Sequence, residues 1–204
     1  MACFSGNMAE SLGWYKVYEW SSFVDVGTFS YSTNNSSTAP SFSRILYQFA
    51  FGTYSVWCEM DDFTSNTASR VGVPLTWTYE TDITNLKVYV SENALSFPGS
   101  NTATIYSRQS ALGRINFWPS NYGTTGGNSS LYDHDDDGFD AGNGYGSMQI
   151  FDMVPTTPEC IFAWNQWGTG DIGIGSRNTS HPDWTFASNL SSITGPRLGK
   201  VYVK

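Results

Sequence analysis

Short apolar or alternating runs recur along the chain, separated by clusters of Gly, Pro, Asn and Ser. The runs are YKVYEW (15–20), RILYQFAF (44–51), YSVWCEM (54–60), NLKVYV (85–90), GRINFW (113–118), YGSMQIF (145–151), ECIFAWNQW (159–167), DIGIG (171–175) and RLGKVYVK (197–204). Their spacing and their β-branched and aromatic content predict strands. STNNSSTAPS (32–41), PGSNT (98–102), SNYGTTGGNSS (120–130) and SRNTSHPD (176–183) predict the loops between them. No segment sustains a helical period with caps at both ends, so the expected class is all-β. Many short strands need two facing layers to bury their apolar faces, which predicts an antiparallel two-sheet β-sandwich of jelly-roll type. No repeat and no shift of composition divides the chain, and residues 1–204 read as one domain.

Composition narrows the function classes. Hydrophobic residues make up 40% and charged residues 14% of the 204 positions, with 12 Tyr, 13 Phe and 8 Trp, which suits a folded, aromatic-rich core rather than disorder. Ten basic against 18 acidic residues give a net charge of -8, without a Lys/Arg cluster to neutralise a row of phosphates, so nucleic acid is not an expected partner. The apolar runs fall short of the roughly 18 residues a membrane-spanning helix needs, and no membrane span is expected.

Met1-Ala2-Cys3 lacks the basic and then apolar pattern of a signal peptide. The remaining surface chemistry nonetheless points to secretion: little Lys, abundant Ser, Thr, Asn and Gly, and N-x-S/T glycosylation candidates at Asn34, Asn35, Asn128, Asn178 and Asn189. The three cysteines, Cys3, Cys58 and Cys160, show no metal or redox spacing. Cys58 and Cys160 lie in strand-like runs, where a bridge between them and two buried thiols are both open readings; Cys3 near the N-terminus is the candidate for an intermolecular bond.

Five of the 18 acidic residues fall within residues 133–140. Asp133-His134-Asp135-Asp136-Asp137-Gly138 fits D-x-D-x-D-G, the opening half of an EF-hand calcium loop. Carboxylates at alternate positions of a tightly curled loop converge on one centre, and Gly138 permits the turn. Asp133, Asp135 and Asp137, the Phe139 carbonyl and Asp140 are the expected ligands of a structural Ca2+. The second half departs from the motif, since Gly144 stands where an EF-hand carries its bidentate Glu. The alternative is a solvated acidic turn.

RILYQFAF (44–51), YSVWCEMDDFT (54–64), RVGVP (70–74), INFWPSNYG (115–123), GYGSMQIFD (144–152), FAWNQWG (162–168), DIGIG (171–175), HPDWTFASN (181–189) and RLGKVYV (197–203) occur in an order that resembles a secreted accessory module. Such modules come from marine and polysaccharide-degrading bacteria and some aquatic animals. They are often attached to sialate O-acetylesterase-like or other carbohydrate-active regions. The resemblance spans most of the chain after about residue 40. It implies an extracellular β-sandwich associated with carbohydrate and transfers no catalytic residues. The expanded YDHDDDGFD stretch departs from the shorter Tyr-Asp-x-x-Asp of that pattern.

Catalysis is not expected. The two histidines, His134 and His181, have no activated serine: a G-x-S-x-G elbow is absent, and GYGSM (144–148) lacks its second glycine. His181 and Asp183 supply at most two members of a triad. Glu59, Asp61 and Asp62 are the carboxylates that glycoside hydrolysis would call on, although a strand-end acidic turn accounts for them better. Among the aromatics, Trp57, Trp118 and Trp184 sit in apolar strand patterns and are expected in the core. Trp77, Tyr79, Tyr122 and Trp167 are the candidate platforms for stacking on sugar rings. The expected function is therefore a non-catalytic, extracellular carbohydrate-binding or glycan-associated module with a structural calcium site. The alternative is a self-assembling subunit of an extracellular fibre, matrix or adhesive, a homo-oligomer or filament.

Overall fold

A computed structural model of the chain describes residues 8–21, 31–51, 54–72, 79–90, 107–118, 147–155, 159–165, 171–174 and 197–204. Helix is confined there to one turn, α1 (Met8–Ser11), and a 3-10 turn at Ala68–Arg70. The strands are β1 (Tyr15–Ser21), β2 (Thr33–Asn34), β3 (Arg44–Phe51), β4 (Tyr54–Asp61), β5 (Tyr79–Val90), β6 (Ser107–Trp118), β7 (Ser147–Asp152), β8 (Glu159–Asn165), β9 (Asp171–Ile174) and β10 (Arg197–Val203). The protein is thus all-β.

These strands hydrogen-bond into a single ten-stranded sheet in the order β2-β1-β10-β3-β4-β5-β6-β7-β8-β9. Every neighbouring pair is antiparallel. From β3 to β9 spatial neighbours follow chain order, while β10 returns to lie between β1 and β3. β1 and β10, far apart in sequence, are thereby paired with each other near the β2 end of the sheet. Register pins them: Tyr47 stands opposite Val201 on one side and Cys58 on the other.

Ile45, Leu46, Tyr47, Gln48 and Phe49 are all buried, so both faces of β3 are covered. Successive side chains alternate between faces. One face carries Ile45, Tyr47 and Phe49 with Cys58, Met60, Val201 and Val203. The segment after β4 covers it, where the Tyr47 hydroxyl donates to the Val71 carbonyl at 2.7 Å. Aromatic edges complete that side: Trp20 meets Phe49 edge-on at 6.0 Å between centroids, and Tyr18 meets Tyr31 at 4.3 Å. The other face of β3 and β4 carries Leu46 and Trp57, which form a cluster with Tyr202, Ala9 of α1 and Trp14.

A bulge between Lys16 and Tyr18 inserts Val17 into β1 and lets Tyr18 regain the register of Val201. A second irregularity lies in β5. Ile83 and Leu86 are both buried although they are three residues apart, and Thr84 and Asn85 between them are both exposed. Asn85 has a left-handed backbone, φ 50°, which breaks the period-2 alternation and returns two apolar side chains to one side. Both close on Gly113 of β6, where an added methyl would crowd Leu86 and Ile83. Beside them the buried Asp152 carboxylate accepts the Ser110 hydroxyl at 2.7 Å and the Val154 amide at 3.0 Å.

Candidate functional site

The face that bears α1 also bears a polar strip. Alternation along β3 and β4 sets Arg44 opposite Asp61 and Leu46 opposite Glu59, and Lys87 of β5 stands opposite Glu59 on its other side. Glu59 is therefore flanked by two cations. It pairs with Arg44, and Lys87 Nζ lies 3.7 Å from its Oε1. The Arg44 guanidinium also sits 5.6 Å from the Trp14 ring centroid, and Lys204 Nζ 6.0 Å from it while donating to the Leu12 carbonyl at 2.8 Å.

At the open end of this strip Asp61 Oδ2 accepts Asn85 Nδ2 at 2.6 Å and the Thr84 hydroxyl at 3.2 Å. Thr84 and Asn85 are exposed because of the left-handed turn of the backbone at Asn85, so one conformational feature both completes the core and presents this cluster. A further ion pair, Arg114 Nε to Asp82 Oδ1 at 2.8 Å, joins β6 to β5 nearby. The strip therefore presents a carboxylate, an amide, a hydroxyl and two cations on a pleated surface. Asn85, Thr84, Arg44 and Lys87 were not singled out from the sequence; the available signal was the polar pair TN between Ile83 and Leu86, where strict alternation asks for one residue.

The carboxylates considered for hydrolysis have structural partners. Glu59 is held by Arg44 and Lys87, and Asp61 by Thr84 and Asn85. Asp62 closes the following turn, accepting the Thr64 amide at 2.7 Å, the Thr64 hydroxyl at 2.9 Å and the Asn66 amide at 2.5 Å. Ser65 and Asn66 are left-handed there, with φ of 56° and 65°. Asn66 Oδ1 in turn accepts the Phe42 amide at 2.7 Å, which ties this turn to the start of β3.

Other expected residues are placed as follows. Trp57 is buried, together with Trp14 and Trp20. Cys58 is a buried free thiol whose pKa burial pushes well up, and of the two readings of this residue the unbridged one applies. Cys160 stands in β8 opposite Phe151. Tyr79 opens β5 opposite Phe117, its side chain lying outside the description. Trp77, Tyr122 and Trp167, the expected calcium ligands Asp133, Asp135, Asp137, Phe139 and Asp140, the candidate acceptors Asn128, Asn178 and Asn189, and His181, Asp183 and Cys3 lie outside the described residues. Among the described residues no group of three His, Cys, Asp or Glu side chains is arranged to hold a metal ion, and no helix is long and apolar enough to cross a membrane. Asn34 and Asn35 fall in and just after β2, Asn34 exposed and Asn35 half-buried.

Comparison of the chain with protein families, with curated proteins and with solved structures found no match.

Proposed function

We propose that this protein is a non-catalytic, extracellular carbohydrate-binding module, that its sheet closes into a two-layer sandwich of jelly-roll type, and that residues 133–140 hold a structural Ca2+. The observation that carries the binding reading is the Asp61–Thr84–Asn85 cluster beside Arg44 and Lys87. Sugar hydroxyls both donate and accept, and the acceptor oxygens of Asp61 and Asn85 beside the donor groups of Arg44 and Lys87 offer both kinds of partner. Asp61 keeps Oδ1, and Asn85 its Oδ1, uncommitted among the described residues. The sequence resemblance to modules that accompany carbohydrate-active enzymes supports the same reading. The structural engagement of Glu59, Asp61 and Asp62 favours binding over hydrolysis, since general acid chemistry needs carboxyls poised toward a substrate.

The test is a glycan titration followed by Trp fluorescence, with Trp14 as the reporter because it lies against Arg44. Binding should change the signal saturably and weaken at least about tenfold in Asp61→Asn, which removes about 1.4 kcal/mol or more of interaction. A flat response over a broad panel of neutral and acidic glycans would sink the reading.

A second reading, self-assembly, is favoured by a different observation. Leu112 and Val154 are exposed at 39% and 63%, and the bond from the Met153 amide to the Leu112 carbonyl ties the residues after β7 to β6. Sedimentation over a wide concentration range decides it: growth of species that Val154→Lys suppresses supports assembly, and a single monomer boundary removes it.

A further inference from the structure

Two overlapping acceptor sequences, Asn34-Asn35-Ser36 and Asn35-Ser36-Ser37, compete for one sugar chain at the edge of the sheet. From their surroundings we infer that Asn34 is an N-glycosylation site and that Asn35 is not. The inference rests on the extracellular part of the reading above and is independent of sugar binding by Asp61 and Asn85.

The two asparagines are neighbours with opposite commitments. Asn35 is fixed at three points: its Nδ2 donates to the Lys16 carbonyl at 3.1 Å, its amide to the Val17 carbonyl at 2.8 Å, and its carbonyl accepts the Thr38 amide at 3.1 Å. The nitrogen that would receive the sugar is thus turned onto the backbone of β1 at a half-buried position. A pyranose there would have to displace the contact that holds the turn against the sheet.

Asn34 is exposed, and only its oxygen is engaged. Oδ1 accepts the Ser36 hydroxyl at 2.8 Å and the Ser36 amide at 3.2 Å, while Nδ2 makes no bond among the described residues. In the transfer, Nδ2 forms a bond to the anomeric carbon of a lipid-linked oligosaccharide diphosphate. The bond from that carbon to the diphosphate oxygen breaks, the lipid diphosphate leaves with the electron pair, and Nδ2 gives up one proton. The folded chain then carries the product without losing a hydrogen bond.

The location gives the modification a consequence. β2 is the end strand of the described sheet, joined to β1 through Tyr18–Asn34 and Glu19–Thr33. An end strand is a template for pairing with another chain, and a glycan on its exposed residue obstructs such addition. Occupancy of Asn34 is therefore incompatible with assembly through this edge.

The test uses the full chain, directed into the secretory pathway of a eukaryotic cell by an added leader. The tryptic peptide between Lys16 and Arg44 contains both acceptors, and enzymatic deglycosylation in heavy-oxygen water labels the occupied one. Ser36→Ala destroys the Asn34 acceptor sequence and leaves that of Asn35; Ser37→Ala does the reverse. The expected result is label on Asn34, loss of one glycan's gel shift in Ser36→Ala and Asn34→Gln, and no change in Ser37→Ala. Label on Asn35 that Ser37→Ala removes would overturn the assignment, and so would a bare peptide, whether or not other acceptors are occupied. The glycan titration is run on protein made in bacteria without N-glycans, so failure of one experiment does not imply failure of the other.

Discussion

Trp20 lies over Gly199, its register partner across β1 and β10, and a methyl group added at Gly199 would run into the indole ring. The absent side chain is what lets Trp20 reach Phe49 and Tyr31, with which it makes edge-on contacts at 6.0 and 5.8 Å. Gly199→Ala should therefore destabilise the fold by about 1–3 kcal/mol through overpacking. Urea unfolding followed by Trp fluorescence measures it, and an unchanged midpoint would show that the ring can move aside at no cost.

Asn85 joins the core to the exposed polar cluster, and two substitutions separate its roles. Asn85→Gly accepts the positive φ of 50° without strain, whereas Asn85→Ala does not, so the alanine variant should be less stable than the glycine variant by about 1–2 kcal/mol. Both lose the bond to Asp61 and should weaken glycan binding alike. A binding loss confined to the alanine variant would place the effect in the backbone rather than in the amide.

Burial pushes Cys58, Tyr47 and Tyr202 above their ordinary values. The unfolded chain releases these protons from about 9.0 for the thiol and 10.0 for the phenols, while the folded chain keeps them. The unfolded state then binds fewer protons, so stability is fully present below that range and declines as pH rises toward the folded-state values. Each such group steepens the decline by up to about 1.4 kcal/mol per pH unit. Denaturant midpoints at about pH 8 and about pH 10.5 should differ, and the difference should shrink in Tyr47→Phe. Equal midpoints would contradict the burial argument. Cys58 should likewise resist thiol reagents until the chain unfolds.

The proposed Ca2+ site at residues 133–140 is tested by thermal unfolding. If residues 133–140 bind Ca2+ only in the folded state, calcium at about 100 times its Kd adds about 2.7 kcal/mol and raises Tm, while magnesium adds less. Asp135→Asn combined with Asp137→Asn should abolish that rise. A Tm indifferent to calcium and chelator would leave the loop a solvated acidic turn.

Strand positions were legible in the sequence where alternation is strict. RILYQFAF is β3 residue for residue, and YSVWCEM and RLGKVYVK give β4 and β10 to within a residue. The early halves of β5 and β6 were not legible. YETDIT and SRQSAL hold few apolar residues, and their extended form is fixed by antiparallel pairing with the late half of the other strand, Tyr79–Ile83 against Gly113–Phe117 and Leu86–Tyr89 against Ser107–Ser110. The two-residue β2 lies in a stretch rich in Asn, Ser and Thr that reads as loop, and it becomes a strand by adding to the edge of β1. The polar strip was hidden for a related reason: Glu59 and Asp61 attract attention as an acidic pair, but Arg44 and Lys87 become the partners of Glu59, and Thr84 and Asn85 those of Asp61, only through cross-strand register.

The sequence by itself determined that this chain is all-β, that Trp57 belongs to the core, and that five of the 18 acidic residues fall within residues 133–140, because periodicity, side-chain volume and charge spacing are local properties. Tertiary structure alone decided which strands are neighbours, that β10 returns between β1 and β3, and that Asn85 presents a polar cluster beside two cations. Those outcomes depend on hydrogen-bond pairing between segments far apart in the chain. A local pattern fixes which face a residue prefers and leaves open which partner it meets there.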